Sequence, residues 1–263
     1  MYRARLALIA VGLFAAPIAG AAQCTAESAE RRVALLELYT SEGCDSCPPA
    51  DRWISALPPR GLDAERVVAL GFHVDYWNYL GWNDPFAKPE YSARQRAASR
   101  RNKARVIYTP QLLLNGRDFR RMASRDDIAD RVYSLNREKP VARIRLRLAR
   151  ESPGTLLVHN TVVVPDAAER SAARAYLALY ENHLATQVKA GENRGKQLRH
   201  DFVVRKLAGP YSIDSQGLAA ISHRFEFGAD WKPGDLHVAA FVQNNRTGDV
   251  LQALALANCP LDR

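Results

Sequence analysis

Residues 41–51 read SEGCDSCPPAD and place two cysteines, Cys44 and Cys47, two residues apart. The pair directly follows VALLELYT at 33–40, a nearly continuous apolar run that is typical of a strand covered on both faces. It precedes ADRWISAL at 50–57, whose length and spacing predict a short amphipathic helix. A Cys-x-x-Cys pair between a strand and a helix can be a redox dithiol, part of a metal site or a structural crosslink.

The chain after the cysteine pair continues to alternate between strand and helix patterns. Residues 66–72 predict a second buried strand, and residues 88–105 predict a basic, exposed helix. Residues 124–136 open with a serine and two nearby aspartates, which is the start signal of a further helix. This βαβα order predicts a largely parallel sheet with helices on its faces.

A hairpin pattern lies between the last two predicted helices. Residues 106–119 contain two apolar runs, and the second turns at Asn115-Gly116, a strong signal for a hairpin. Thr109-Pro110 separates the two runs. Because proline cannot donate a hydrogen bond to a neighbouring strand, the chain is expected to bend there.

Beyond Pro140 the sequence predicts strands only. Residues 143–148, RIRLRL, alternate strictly, as a strand with one buried and one wet face does. Six more strand-like segments follow, at 155–164, 173–181, 200–207, 221–227, 235–243 and 249–256. Their spacing is typical of an antiparallel arrangement, so we predict an all-β sandwich over residues 140–263.

The N-terminus has the pattern of a secretory signal peptide. Arg3 and Arg5 precede an apolar stretch that ends in small residues at 19–22, so residues 1–22 are expected to be removed. We therefore expect a secreted or periplasmic protein, in a compartment where disulfides persist. No later segment is long and apolar enough to predict stable insertion into a membrane.

The charge of the chain does not indicate a nucleic-acid partner. The formal net charge is +9 and the pI about 9.6. However, the basic residues are dispersed, and no nucleic-acid-binding motif accompanies them. We interpret them as a solvated surface.

Three strings carry a family resemblance: CDSCPPAD, FHVDYWNYLGWNDPFA and YTPQLLLNG. They resemble the secreted, thioredoxin-like family called domain of unknown function 1223, over nearly the whole chain after the signal peptide. The resemblance implies an α/β thioredoxin-like domain over residues 31–138, followed by the β-sandwich. It also implies thiol-disulfide exchange with protein or small-molecule thiols and disulfides, without a cofactor.

The resemblance assigns roles to the motif residues. Cys44 would be the exposed nucleophilic thiol and Cys47 the resolving thiol. Pro110, preceded by Thr109, would be a cis-proline that packs beside the pair. Glu37, a carboxylate in an apolar strand, is the candidate for the buried acid that passes a proton to Cys47, and a structural salt bridge is the equal alternative for it.

The residues around the pair are expected to face the substrate. Asp45 and Ser46 stand between the cysteines where thioredoxins have Gly-Pro, and an acid there opposes negative charge on Cys44, whereas a helix N-terminus favours it. The loop after the second strand adds four candidates: His73, Asp75, Tyr76 and Trp77. It begins at the edge of the sheet where sites of α/β proteins lie. The alternative is a packed loop that fills the gap between the domains.

A metal site is the main alternative to redox chemistry. Zinc is disfavoured because Cys and His ligands at suitable spacing are lacking. Copper bound by Cys44, Cys47 and His73 is possible, since thiolates and imidazole suit that ion, and it would imply a non-catalytic binding or carrier protein. The other histidines are scattered and expected to be surface or satisfied residues: His159, His183, His200, His223 and His237.

Two further cysteines, Cys24 and Cys259, bracket the mature chain. We predict that they form a structural disulfide that ties the N-terminal segment to the last strand. A loop of that length would restrict the unfolded chain by up to roughly 5 kcal/mol on the entropy account.

Overall fold

A computed structural model describes residues 23–119 and 127–256 of the chain. Within these ranges, no helix combines the length and apolar character that crossing a bilayer requires. The predicted signal peptide at 1–22 and Cys259 fall outside the described residues, so the signal peptide and the Cys24–Cys259 disulfide stay predictions.

The first half of the chain forms strands and helices close to the predicted positions. Its elements are β1 Gln23–Glu27, β2 Ala34–Thr40, α1 Pro48–Ser55, β3 Val67–His73, α2 Pro89–Arg101, β4 Gln111–Leu114, β5 Arg117–Asp118 and α3 Asp127–Asn136. Strands β2 and β3 are parallel, and β4 is antiparallel to β2. Residues 106–110 form no strand, and the side chains of Val106 and Ile107 are exposed.

The second half is almost entirely strand, and each of the seven predicted segments contains one. Its elements are β6 Arg143–Ser152, β7 Thr155–Val163, α4 Ala167–Arg170, β8 Ala173–Glu181, β9 Leu184–Gln187, β10 Gln197–His200, β11 Val203–Ser212, β12 Leu218–Glu226, β13 Leu236–Asn244 and β14 Val250–Leu256. Strands β9 and β10 pair with each other, and β10 contacts α1.

The predicted fold class, an α/β thioredoxin-like domain followed by an all-β sandwich, is wrong. The described chain is mostly β, and strands from both halves share one eight-stranded sheet in the order β14-β13-β8-β11-β3-β2-β4-β5. The join is between β11 and β3, which run parallel with Val203 opposite Gly71. The Gly71 amide donates to the Phe202 carbonyl at 2.7 Å. Strand β11 thereby covers an edge of β3 that would otherwise present unpaired backbone groups.

Three apolar cores hold these layers together. A four-stranded sheet, β1-β6-β7-β12, packs against the β8 and β13 part of the large sheet through aliphatic side chains. Helices α1 and α3 pack on the β2–β4 part, against the side chains of Leu36 and Leu38. Helix α2 covers the other face, where alternate residues such as Leu35 and Tyr39 point into an aromatic core.

Candidate functional site

The cysteine pair forms a disulfide at the start of α1. The Cys44 and Cys47 Cα atoms are 5.4 Å apart, and Cys47 is the residue immediately before the helix. The first two helical residues, Pro48 and Pro49, have no N–H group, and the Asp51 amide donates to the Cys47 carbonyl at 3.2 Å. The helix terminus therefore presents few unpaired backbone amides to Cys44.

Both sulfur-bearing residues are buried, which corrects the expectation that Cys44 is exposed. Cys44 is 1% exposed and Cys47 0%, whereas Asp45 and Ser46 between them are exposed to solvent. The Ser46 hydroxyl lies 3.4 Å from the Cys44 sulfur. Of the two intervening residues, Ser46 is thus the one in contact with the disulfide.

A segment from the second half of the chain binds the turn that carries Cys44, and we call residues 191–194 the covering segment. The Asn193 side-chain amide donates to the carbonyls of Glu42 at 2.8 Å and Cys44 at 2.9 Å. The Asp45 amide donates to a Glu192 carboxylate oxygen at 3.0 Å. These bonds hold the covering segment against the backbone around Cys44, and no local sequence pattern indicated them.

The Thr109-Pro110 peptide bond is cis, as the resemblance implied. The indole N–H of Trp77 donates to the Thr109 hydroxyl at 2.7 Å. The same side chain packs against Gly43, where an added Cβ would lie 3.1 Å from that of Trp77. Trp77 therefore links the proline segment to the turn that leads into Cys44.

The other loop residues expected to face a substrate are engaged with the protein. The Asp75 amide donates to Ser92 on α2 at 3.1 Å, and the Tyr76 hydroxyl donates to the Gln95 amide oxygen at 3.0 Å. His73 is 1% exposed, which corrects its placement as a substrate-facing residue. For these three residues the structure agrees with the alternative of a packed loop.

Glu37 lies on the face of the sheet opposite α1, because side chains alternate along β2 and those of Leu36 and Leu38 point to the helix. Its carboxylate lies 2.7 Å from the Arg94 guanidinium, and the Tyr39 hydroxyl donates to it at 3.1 Å. Burial opposes the charge on Arg94, but Glu37 together with the neighbouring Tyr39 and Tyr176 outweighs burial, and the pKa of Arg94 is raised. The carboxylate is engaged in a buried salt bridge.

A group of titratable residues that we did not predict lies beside α1. We call it the buried cluster, and its members, all 5% exposed or less, are Glu42, Asp51, His73, Asp84 and His200. His73 sits opposite Thr40 in the β2–β3 pairing, and the Thr40 hydroxyl donates to Asp51 at 3.1 Å. The cluster thus joins the carboxyl ends of two parallel strands to α1 and to β10.

Close contacts connect the cluster. His73 Nδ1 lies 2.7 Å from Asp84 Oδ2, which also accepts from the Glu42 amide at 2.8 Å. His200 Nε2 lies 3.1 Å from Glu42 Oε1, and the Trp82 indole N–H donates to the other Glu42 oxygen at 2.8 Å. Three carboxylates and two imidazoles therefore share one buried region.

The charges in the cluster are set by these contacts. Burial raises the pKa of Asp84, but His73 and the hydrogen bonds from the Glu42 and Phe86 amides together outweigh burial, and the net pKa is lowered. Burial lowers the pKa of His200, but the carboxylates of Asp51 and Glu42 outweigh it and raise the value to about 10.

One part of the cluster had a signal in the sequence. Asp51 follows Cys47 by one helical turn, so both side chains belong on the same face of α1. His200 gave no such signal, because it lies far along the chain and belongs to a short strand. We expected a surface histidine or one with all its hydrogen bonds formed. The structure contradicts this, because His200 Nδ1 is buried and has no hydrogen-bond partner.

Comparisons with known proteins place the chain among uncharacterised relatives. The sequence model of a family described as "Protein of unknown function (DUF1223)" matches residues 35–243. The crystal structure of protein AGR_C_4864 from Agrobacterium tumefaciens is 26% identical, with a TM-score of 0.61 over 87% of this chain and 96% of that one. HBP35 of Porphyromonas gingivalis is 19% identical, with a TM-score of 0.65 over 88% and 76%, and shares the fold. Among curated proteins, no sequence matches this chain.

Proposed function

The chain belongs to the DUF1223 family of proteins of unknown function, and from that premise we propose that Cys44–Cys47 is a redox disulfide that exchanges with thiols and disulfides of proteins or small molecules. The observation that carries the proposal is the disulfide at the start of α1, which follows a turn that Trp77 links to Thr109 of the cis Thr109-Pro110 bond.

The short loop between the cysteines supports a redox role over a crosslink. The bond joins residues only three apart, so it connects no separate elements of the fold. On the entropy account, so short a loop restricts the unfolded chain by roughly 2 kcal/mol, against about 4.7 kcal/mol for a 100-residue loop. A disulfide selected for stability would gain more from a longer loop.

The proposed exchange proceeds in two balanced steps. In the reduced protein the Cys44 thiolate attacks one sulfur of a partner disulfide, whose other sulfur leaves as a thiolate, and a mixed disulfide forms. The Cys47 thiolate then attacks the Cys44 sulfur and releases the second partner thiolate. Two electrons pass to the partner, and the Cys44–Cys47 disulfide closes. The reverse sequence oxidises a partner dithiol.

Exchange requires access to a sulfur that is buried in the oxidised protein. The covering segment holds the region through the Asn193 amide, which binds the Glu42 and Cys44 carbonyls. We propose that this segment opens locally before a partner thiol reaches Cys44, as binding loops of low local stability do. The rate of exchange then depends on how strongly Asn193 holds the segment closed.

Asn193→Ala is expected to speed reduction of the disulfide by dithiothreitol about tenfold. The variant loses the two hydrogen bonds that tie the segment to the Glu42 and Cys44 carbonyls, worth roughly 0.5–1.5 kcal/mol each, and 1.4 kcal/mol of easier opening is a factor of ten. It also loses a local bond from the Lys196 ammonium, which does not reach the cysteine turn. The rate is measured by quenching with an alkylating reagent and counting labels by mass spectrometry. Asn136→Ala is the matched control, because the Asn136 amide also donates to two distant carbonyls, those of Arg32 and Arg66.

The control separates local opening from a general loss of stability. Asn136→Ala is expected to lower the free energy of unfolding by a similar amount and to leave the reduction rate unchanged. Equal rates for the two variants would contradict the proposal that the covering segment controls access.

We also propose that exchange takes place in a secreted or periplasmic setting, on the strength of the signal-peptide pattern at residues 1–22.

A copper site formed by Cys44, Cys47 and His73 is the alternative to thiol-disulfide exchange. Nothing in the described structure favours it, because the two sulfurs are bonded to each other and so are not available as thiolate ligands. Copper that co-purifies with the protein and is lost on Cys44→Ser would support that alternative.

A further inference from the structure

The geometry points to a binding site for a divalent transition-metal ion formed by Asp51, His73 and His200. One ligand atom from each residue lies within 4.8 Å of the other two, and all three side chains are buried. This site uses neither cysteine and is independent of the proposed thiol-disulfide exchange.

Each histidine has one nitrogen engaged and one left to bind an ion. His73 Nδ1 is held by Asp84 at 2.7 Å, which leaves Nε2. His200 Nε2 is held by Glu42 at 3.1 Å, which leaves Nδ1. His200 Nδ1 is buried without a hydrogen-bond partner, although burying a polar atom unpaired is costly. A metal ion would supply the missing partner.

The third ligand, Asp51, also has one side-chain atom held by the protein and the other left to bind an ion. Its Oδ2 accepts a hydrogen bond from the Thr40 hydroxyl at 3.1 Å, while Oδ1 faces His200 Nδ1 at 3.8 Å. That separation is too long for a hydrogen bond. Two ligands of one ion with bonds of about 2.1 Å lie roughly 3.3 Å apart, so modest side-chain rotations bring this pair to bonding distance.

The surrounding carboxylates complete the arrangement that metal sites use. Histidines that bind a metal commonly donate their other ring N–H to a carboxylate, which fixes the tautomer and the ring orientation. Asp84 and Glu42 stand in these positions on His73 and His200. Glu42 is held in turn by the Trp82 indole N–H at 2.8 Å.

The donor set indicates the class of ion. Two imidazole nitrogens and one carboxylate oxygen suit zinc and other divalent first-row transition metals, whereas magnesium and calcium prefer oxygen ligands throughout. The ion would tie α1 and β3 to β10, the strand that follows the covering segment.

Cobalt titration of the full-length chain after signal removal tests the site, with the protein first stripped of metal by a chelator and its disulfide kept oxidised. We expect one equivalent of Co²⁺ to bind with visible d–d absorption, to be displaced by Zn²⁺, and to raise the melting temperature. Asp84→Asn is expected to weaken binding about 10- to 100-fold through His73, and Asp51→Asn at least as much.

Two controls make the result specific. His237→Asn is expected to leave affinity unchanged, because His237 is also partly buried with an unpartnered Nδ1 but belongs to no such cluster among the residues that the structure describes. The double variant Cys44→Ser, Cys47→Ser is expected to bind as the wild type does. A wild-type chain that binds neither ion, or binding that survives Asp51→Asn and His73→Gln in folded protein, would overturn the proposal.

Discussion

Cys44→Ser is expected to abolish thiol-disulfide exchange, whereas Cys47→Ser is expected to retain the first step and stop there. With Cys44 intact, its thiolate attacks a partner disulfide, but no second thiol is present to resolve the product. The Cys47→Ser variant should therefore accumulate a mixed disulfide with the partner. The Cys44→Ser variant should form none, because its remaining thiol is the one assigned to the resolving step.

The measurement is incubation of each variant with glutathione disulfide, followed by intact-mass analysis and peptide mapping of the adduct. The two variants control for each other, since both lose the same disulfide and the same contribution to stability. An adduct that forms equally on both, or faster on Cys47 in the Cys44→Ser variant, would contradict the assigned roles.

Glu37→Gln is expected to lower the free energy of unfolding by about 3–5 kcal/mol and to leave the pH dependence of exchange unchanged. The change removes one charge of a buried pair and leaves Arg94 uncompensated, with its side chain 9% exposed. The guanidinium also lies over the rings of Tyr176 and Phe241, so it cannot reach solvent without disturbing the aromatic core. The loss is measured by urea unfolding of the oxidised protein.

Glu181→Gln is the matched control, because Glu181 forms a comparable buried pair with Arg205 elsewhere in the large sheet. Both variants should lose stability, and their exchange rates should follow the wild type from acid to alkaline pH. A pH profile that shifts in Glu37→Gln alone would restore Glu37 as the acid that serves Cys47.

Local sequence patterns predicted those helices, strands and turns that are determined by residues adjacent in the sequence. The Asn115-Gly116 turn between β4 and β5 is present, with positive φ values of 49° and 78°, as the sequence signal requires. The sharing of one sheet by both halves could not be predicted in this way. The shared sheet depends on the pairing of β11 with β3 at Val203 and Gly71. The sequence of neither strand indicates which other strand it pairs with.

The same limit applies to the candidate site. The Cys44–Cys47 pair follows from a short motif and the cis bond before Pro110 from the family resemblance, and the structure has both. The sequence could not fix the face on which Glu37 lies. The covering segment and the buried cluster escaped prediction because Asn193 and His200 reach the site from a different part of the chain.

A redox titration of the purified chain tests the central proposal most directly. The protein is equilibrated in thiol-disulfide buffers of graded potential, and the state of Cys44 and Cys47 is read by alkylation and mass spectrometry. We expect a reversible two-electron transition above about −300 mV, as labile disulfides show. A pair that stays oxidised well below that potential, or whose reduction cannot be reversed, would contradict the redox role and leave the disulfide as a structural crosslink.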